Sequence, residues 1–406
     1  MTQPMAEAVI VSAVRTPVGK AYRGAFNDTQ PQQLAAHAIA GALARAGGAE
    51  DGVSDVILGC ALQQGASGFN IARQSALAAG LPVGVAGMTV DRQCSSGLMA
   101  LALAHHQIRL EGAQVVVAGG VESCSLVQNQ HYNRWRAEDP ALVAAWPALY
   151  MSMIETAEVV ADRYGITRAA QDAFALESQQ RMARAQAAGR FDAEILPMTV
   201  MQRLTDRDTG AETLHERQIS ADECNRPATT AADLAALQPV LSGGQRLAAG
   251  RHVTAGNASQ LSDGAAALVV MAAEEAARRG LAPLGALRGV QVAGCAPDEM
   301  GIGPVFAVPP LLDRFGLTVD DIDLWELNEA FAAQALYCRA RLGIDPERLN
   351  VNGGAIAMGH PYGMSGARMA AHLLHEGRRR GARWGIATMC IGGGMGAAGL
   401  IEIFPA

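Results

Sequence analysis

The chain contains a partial copy of itself, and no other feature of the sequence limits its fold as tightly. Ser96 with Gly97, and Ser365 with Gly366, each open an alanine-containing run at helical spacing, and each run ends sixteen residues after its serine, at Gly112 with Ala113 and at Gly381 with Ala382. Both Gly-Ala pairs lead into apolar stretches, residues 115–118 and 384–389. Further apolar stretches begin at Asp55 and Asp323, 41 and 42 residues ahead of the two serines. Two matched spacings indicate an internal duplication. Each copy alternates strand and helix, a pattern that makes a mostly parallel sheet covered by helices. Two such halves packed together bring strand ends and helix starts to a shared crevice, where α/β proteins bind their ligands.

The other stretches fall in order around that repeat. Residues 9–14 form a β-branched run that reads as a first strand. Residues 31–46 are predicted helical, with Pro31 suited to the first turn and Gly47 and Gly48 to the stop. A strand over 55–59, a helix over 70–79, an extended lead over 88–90 into Cys94 and a buried strand over 115–120 follow. From 121 to 249 the pattern loosens into longer loops and polar helices such as 168–188. The charged segment 205–226 reads as a solvated loop. This region is expected to be an insertion over the core. Residues 253–263 (VTAGNASQLSD) return to a glycine-containing motif before a strand over 265–271. The expected division is therefore 1–120 with 250–273, an inserted 121–249, and 274–406.

With 50% hydrophobic residues, 17% charged, 4% aromatic and 45 glycines, the chain can build a large core with close packing through small side chains. A net charge of −7 argues against nucleic acid as a partner, and an anionic ligand would need local Arg or Lys. No run of eighteen apolar residues occurs, so no membrane span is expected. The first twenty residues carry no secretory or transit pattern and the last six, IEIFPA, are no peroxisomal address, so the expected location is cytoplasmic. The seven cysteines, scattered and without C-x-x-C or metal spacing, read as reduced thiols, and no metal is expected.

Three glycine-bounded sites carry candidate chemistry. His360 stands in residues 353–366 (GGAIAMGHPYGMSG), Cys94 opens CSSG, and Cys390 opens CIGGG. Cys94 lies just before a long helix, whose positive end favours the thiolate; the alternative is a buried, inert cysteine. His360 precedes the matching helix of the second half, so the repeat brings it within reach of Cys94 as a base. Cys390 suits an acid/base beside the unobstructed backbone amides of 391–396, which can hold an oxyanion. Asn328, in NEAFA after an apolar strand, is a neutral donor at a strand end or else a helix cap. The GMGAAG over 394–399 has no following helix and is no dinucleotide fingerprint. His105, His106, His372 and His375 lack ligand-spaced partners and read as packed or solvated.

Taken together these motifs resemble the thiolase family, and the resemblance covers essentially the whole chain. It is carried by RTPVGK at 15–20, CSSG at 94–97, VTAGNAS at 253–259, GIGP at 301–304, NEAFA at 328–332, the 350–368 segment and CIGGGMG at 390–396. It implies an α/β fold of two βαβαβαββ halves in α-β-α-β-α layers, with a loop domain inserted in the first half. It also implies Cys94 as the acyl-accepting nucleophile, His360 as its base and Cys390 as acid/base at the acetyl-CoA methyl carbon. Asn328, through a water, and His360 would form one oxyanion site, and the amides of Cys94 and Gly392 the other. Ser259, Arg226 and Met153 correspond to substrate and coenzyme A contacts. Coenzyme A would be a co-substrate with no permanently bound cofactor, and the assembly a homodimer or homotetramer.

The implied reaction is cleavage of 3-ketoacyl-CoA by CoA in a ping-pong scheme, or its reverse, the condensation of two acetyl-CoA. A decarboxylating ketoacyl-synthase pairs its cysteine with two histidines, and here Asn328 and Cys390 stand instead. A non-catalytic lipid-carrier relative would be expected to lack one of the four residues. Ser152 ahead of Met153, Tyr362, Met364 and Cys124 depart from the pattern of acetoacetyl-CoA-forming members and leave the acyl group open.

Overall fold

The computed structural model describes residues 6–206 and 208–406; residues 1–5, part of the stretch read for a targeting signal, lie outside it. Twelve strands are present among the described residues: β1 (Ala8–Arg15), β2 (Gly19–Lys20), β3 (Val53–Gly59), β4 (Ala86–Val90), β5 (Val115–Ser123), β6 (Met198–Thr205), β7 (Glu212–Ile219), β8 (Ser262–Ala272), β9 (Gly285–Gly294), β10 (Leu324–Leu327), β11 (Trp384–Ile391) and β12 (Met395–Ile403). The main sheet runs β10-β11-β12-β9-β1-β8-β5-β3-β4, with β2 added on β8.

That order is one arrangement written twice. In the first half β3 is parallel to β4 and β5, and β8 runs antiparallel between β5 and β1. In the second, β10 is parallel to β11 and bridges to Leu349 in parallel, while β12 runs antiparallel between β11 and β9. The halves meet edge to edge at a single pair, Ile10 with Gly285.

Between the halves lie the two helices that the repeat marks, Ser96–Glu111 and Tyr362–Arg380. Leu98, Leu101 and Ile108 of the first and Met364, Ala370 and Leu374 of the second share one core with Val116 and Ala118 of β5 and Ala387 and Met389 of β11. Outer helices close the opposite faces. Leu34, Ile39 and Ile71 pack with Val117 and Val269, and Leu311, Ala335 and Cys338 pack with Ile386 and Leu400. Alternate residues of β5 thus point into two different cores. Both faces being dry, the strand reads as an unbroken apolar run.

Glycines set how closely the central helices approach. A Cβ on Gly97 would lie 2.6 Å from Gly363 O and 2.9 Å from Ala367 N, and one on Gly366 would lie 2.5 Å from Leu98 N. Nothing larger than hydrogen fits, so the helices cross at residues placed alike in the two copies and their N-termini end up side by side.

Residues 124–261 leave the sheet between β5 and β8, at the point where a turn over 392–394, with φ of 86° and 87° at Gly393 and Gly394, joins β11 to β12. Within this insertion part of the segment expected to be a loop is the strand β7, paired with β6 in a two-stranded ribbon. The Asp206 carboxylate accepts the amides of Asp208 and Thr209 and closes its turn. The ribbon is largely exposed, as its charge implied, but cross-strand pairing of alternating residues, with Arg203 against Glu212 at 3.3 Å, gives it regular structure. The end of the segment is not solvated. Asp222 is buried against Arg15 at 2.6 Å, and Arg15 also pairs with Glu194 at 2.8 Å. No helix among the described residues is long and apolar enough to cross a membrane.

Candidate active site

The chain leaves β4 and bends sharply to present Cys94. Gln93 has φ of 47°, a left-handed conformation that costs a side-chain-bearing residue about 1–3 kcal/mol. Ser96 braces the bend: its hydroxyl donates to Gln93 O at 2.6 Å and accepts the Arg92 amide at 2.8 Å. Cys94 is left partly exposed on a cleft of about 650 Å³.

From the second half, residues 359–361 present His360 just before the helix Tyr362–Arg380. Gly359, at φ 105°, makes the turn, and the His360 amide donates to Gln260 O at 3.0 Å. The side-chain network assigns the tautomer. With the Ser365 hydroxyl donating to Pro361 O at 3.0 Å, its 2.6 Å contact with His360 is an Nδ1–H donated to the serine, an assignment that agrees with Asn328 Nδ2 standing at Nε2. His360 Nε2 therefore keeps its lone pair and accepts Asn328 Nδ2–H at 3.2 Å. Asn328 Oδ1 is buried with no protein partner.

Cys390, next to last in β11, sits in an apolar nest of Met153, Ala157, Met300, Ala330 and Phe331, and burial pushes its thiol well above the ordinary range. Burial also pushes the Cys94 thiol up to about 12, against the opposing pull of the Gly392 and Cys94 amides. A helix-lowered thiol was expected at this position. Desolvation of the sulfur works against ionisation here. Burial, and secondarily the charge of Arg368, holds His360 down to about 3. The resting site is a neutral thiol facing a neutral imidazole.

Cys94, His360, Cys390, Gly392, Met153 and Ser259 all line the one cleft. Asn328 stands one layer behind, touching His360. Arg226 is exposed and outside the lining. No carboxylate lines the cleft, and among the described residues no cluster of His, Cys, Asp or Glu suits a metal ion. Sequence reasoning missed the braces. Ser96 and Ser365 occupy the same place in the repeat and were legible only as helix openers, although both reach back to hold the turn before the helix. Such an array can move a proton from a thiol to an imidazole, hold an oxyanion on backbone amides, and offer a second, desolvated thiol as acid.

Residues 8–274 match the family model described as thiolase, N-terminal domain, and residues 281–403 match thiolase, C-terminal domain. The chain belongs to the thiolase family. The curated 3-ketoacyl-CoA thiolase of Bacillus subtilis (strain 168) is 47% identical, over 98% of this chain and 100% of that protein. The peroxisomal 3-ketoacyl-CoA thiolase B of Mus musculus is 44% identical, over 98% and 91%. The crystal structure of the Bacillus anthracis acetyl-CoA acetyltransferase superposes with a TM-score of 0.85 at 40% identity, covering 99% of this chain and 100% of that one.

In this thiolase the wall that carries Ser259 is hung from the helix Met153–Arg163. The Glu155 carboxylate accepts the amides of Gln245, Arg246 and Leu247 at 2.5–3.0 Å. One turn on, Glu158 accepts those of Arg251, His252 and Val253 at 2.8–3.1 Å. The first residue of that helix is Met153 itself, so one helix both supplies a lining residue and holds the segment that leads to Ser259.

Proposed function

We propose that this chain is a 3-ketoacyl-CoA thiolase, an acyltransferase that cleaves a 3-ketoacyl-CoA with CoA to acetyl-CoA and an acyl-CoA shortened by two carbons. The observation that carries this reading is the convergence on one cleft of Cys94 from the first half with His360 and Cys390 from the second. Cys94 gives its proton to His360 Nε2 as its sulfur bonds to C3 of the substrate, and the C3 oxygen takes the negative charge on the Cys94 and Gly392 amides. The oxyanion collapses, the C2–C3 bond breaks, and its electron pair passes to C2 as the enolate of acetyl-CoA. Cys390 protonates C2. The thiol of a second CoA, deprotonated by the Cys390 thiolate, then attacks the acyl-Cys94 thioester, and Cys94 leaves as the thiol with the proton from His360. A neutral thiol and a neutral base fit this order, because the ionic form arises only once substrate has displaced water. The unpartnered Oδ1 of Asn328 suits a water that, with protonated His360, steadies the enolate oxygen. The same groups run the reverse condensation.

Coenzyme A is a co-substrate in this reading, held on the wall of Ser259 and Met153, with Arg226 outside the lining. A homodimer is supported by β4, an uncharged sheet edge (AGMTV) with Phe69 and Val83 98% and 83% exposed nearby, features that favour pairing with a second copy; a homotetramer would add a further contact. Free thiols at all seven cysteines support a reducing compartment, and so the cytoplasm. The division into 1–120 with 250–273, 121–249 and 274–406 belongs to the same reading. The test is mass spectrometry of enzyme mixed with a 3-ketoacyl-CoA in the absence of CoA. One acyl adduct on Cys94 and release of acetyl-CoA are expected, with neither in Cys94→Ala. Turnover by that variant would overturn the assignment.

A further inference from the structure

Next to Asn328 in the chain stands a buried carboxyl group that the reaction scheme does not use. Glu329 is 1% exposed, and three donors converge on it. Asn350 Nδ2 lies 2.8 Å from Oε1, while Ser178 Oγ at 2.7 Å and the Ile356 amide at 3.2 Å meet Oε2. The donors come from three separate parts of the chain. Ser178 belongs to the helix Arg168–Ala187 of the insertion, Asn350 lies beyond the helix Ala332–Leu342 that follows the turn over 328–331, and Ile356 is in the glycine-containing run that ends at His360.

Two further features tighten this clasp. Asn350 has φ of 43°, a left-handed conformation that side chains disfavour and its contacts here enforce. Its Oδ1 accepts the Leu327 amide at 2.9 Å, and its Nδ2 donates to Leu327 O at 2.9 Å as well as to Glu329, so it grips the residues on both sides of Asn328. The glycine run lies directly on the carboxyl group. A Cβ on Gly354 would stand 2.2 Å from Glu329 Cδ, and the Gly354 amide donates to Ser178 Oγ at 3.1 Å. The Asn328 amide is separately tied to the sheet through Thr388 O at 2.9 Å, and the His360 amide to Gln260 O at 3.0 Å. Glu329 joins these two independently anchored backbones.

We propose that Glu329 is a positioning residue for the reaction: by clasping Asn350, Ser178 and the backbone at 356 it fixes the Asn328 side chain against His360, at the observed 3.2 Å between Nδ2 and Nε2. This rests on the thiolase reading and adds a residue to its machinery. Because His360 keeps its own ties to Gln260 and Ser365, loosening the clasp displaces Asn328 first. The step that suffers is therefore the one in which Asn328 steadies the enolate, the making and breaking of the C2–C3 bond. Acyl transfer between Cys94 and CoA does not form the enolate and is spared.

Glu329→Gln in the full-length enzyme tests this. Glutamine keeps the size but has one oxygen where the carboxylate has two, and Asn350 cannot turn over because its Oδ1 holds Leu327, so an N–H is set against the Asn350 or the Ile356 N–H. The kcat for 3-ketoacyl-CoA cleavage should fall at least about tenfold, while exchange of labelled CoA into an acyl-CoA through acyl-Cys94 stays within about twofold. In an Asn328→Ala background the same substitution should cost less than about a further twofold, since its route of action is already gone. Ser178→Ala keeps the carboxyl group and removes one donor; it should show the same selective loss to a smaller degree, and it decides the matter if Glu329→Gln does not fold. Equal loss in cleavage and exchange, an undiminished effect in the Asn328→Ala background, or cleavage at the parent rate overturns the proposal. Failure of the thiolase reading looks different: the parent enzyme itself cleaves no 3-ketoacyl-CoA.

Discussion

Replacing Ser365 by Ala tests the proton arrangement of the site without touching any group that meets substrate. The hydroxyl holds His360 Nδ1–H at 2.6 Å in a buried setting, and that contact leaves the Nε2 lone pair toward Asn328 Nδ2. Without it, a buried N–H loses its acceptor, at a cost of about 1–3 kcal/mol. The ring can escape by moving its proton to Nε2, where the unpartnered Asn328 Oδ1 can receive it. Either route lowers the population of imidazole with an unprotonated Nε2, and 1–3 kcal/mol corresponds to about a 5- to 150-fold loss. The loss should fall on kcat and on the rate at which a small alkylating agent labels Cys94, with KM changed little. Helix stability should hold, since Ala is the better helix former and the lost serine bond runs back to its own helix start. Stopped-flow thiolysis with alkylation kinetics across pH measures both. A variant that folds and labels Cys94 within twofold of the parent would refute the assigned tautomer.

Other perturbations separate the remaining parts. Cys390→Ala should still accept an acyl group on Cys94 from an acyl-CoA while losing C–C cleavage, and equal loss of both in rapid-quench assays would contradict the division of labour between the thiols. Glu158→Gln removes the charge that gathers three backbone amides beneath the Ser259 wall; about 2–3 kcal/mol of stability and a higher KM for CoA should be lost, measured by urea unfolding and initial rates. Glu122 is pushed by burial from 4.5 to about 7. Its native carboxyl thus binds protons more tightly than the unfolded one, and the stability this gives is complete below pH 4.5 and lost as pH rises through 7, about 3 kcal/mol in all. Urea midpoints at several pH values should show that fall in the parent and not in Glu122→Gln; parallel slopes would refute the raised carboxyl.

The fold was legible where both faces of an element are dry. Residues 115–118 and 384–389 read as strands because runs of mainly apolar side chains suit two cores at once, and the small residues opening each central helix recorded how closely those helices pass. Charge misled where burial decides. Asp222 looks like part of a solvated segment until the fold brings Arg15, 207 residues away, against it. Cys94 looks like an activated thiol because a helix start is visible in sequence and desolvation is not. Arg226, expected near coenzyme A, stands outside the cleft lining, whereas Arg134, from an unremarkable stretch, lies on it. Motif residues that meet at the reaction centre were found, and those that orient them were not, since a brace such as Ser365 is recognisable only by what its hydroxyl touches.

The duplication also explains why a symmetric fold makes one site rather than two. In the register that aligns Ser96 with Ser365, Cys94 corresponds to Gly363, Cys390 to Val121 and His360 to Asp91, and the upstream spacing aligns Asn328 with Cys60. The mirror crevice is therefore the one where Gly363 faces Cys60 and Val121. It is closed: a Cβ on Gly363 would lie 2.6 Å from Gly59 O, 2.7 Å from Cys60 Cα and 2.7 Å from Val121 O. The amide of Gly363, the counterpart of the Cys94 amide, is already occupied, donating to the Glu122 carboxylate at 2.9 Å, and the amides of Ala61 and Leu62 donate to the same group at 3.0 and 3.2 Å. A built-in carboxylate thus sits on the amide matching the one proposed to hold the substrate oxyanion. By filling the unused crevice with an internal carboxyl group and leaving out a side chain at Gly363, the chain holds its two halves together at the point where, in the other orientation, they must stay apart to admit substrate.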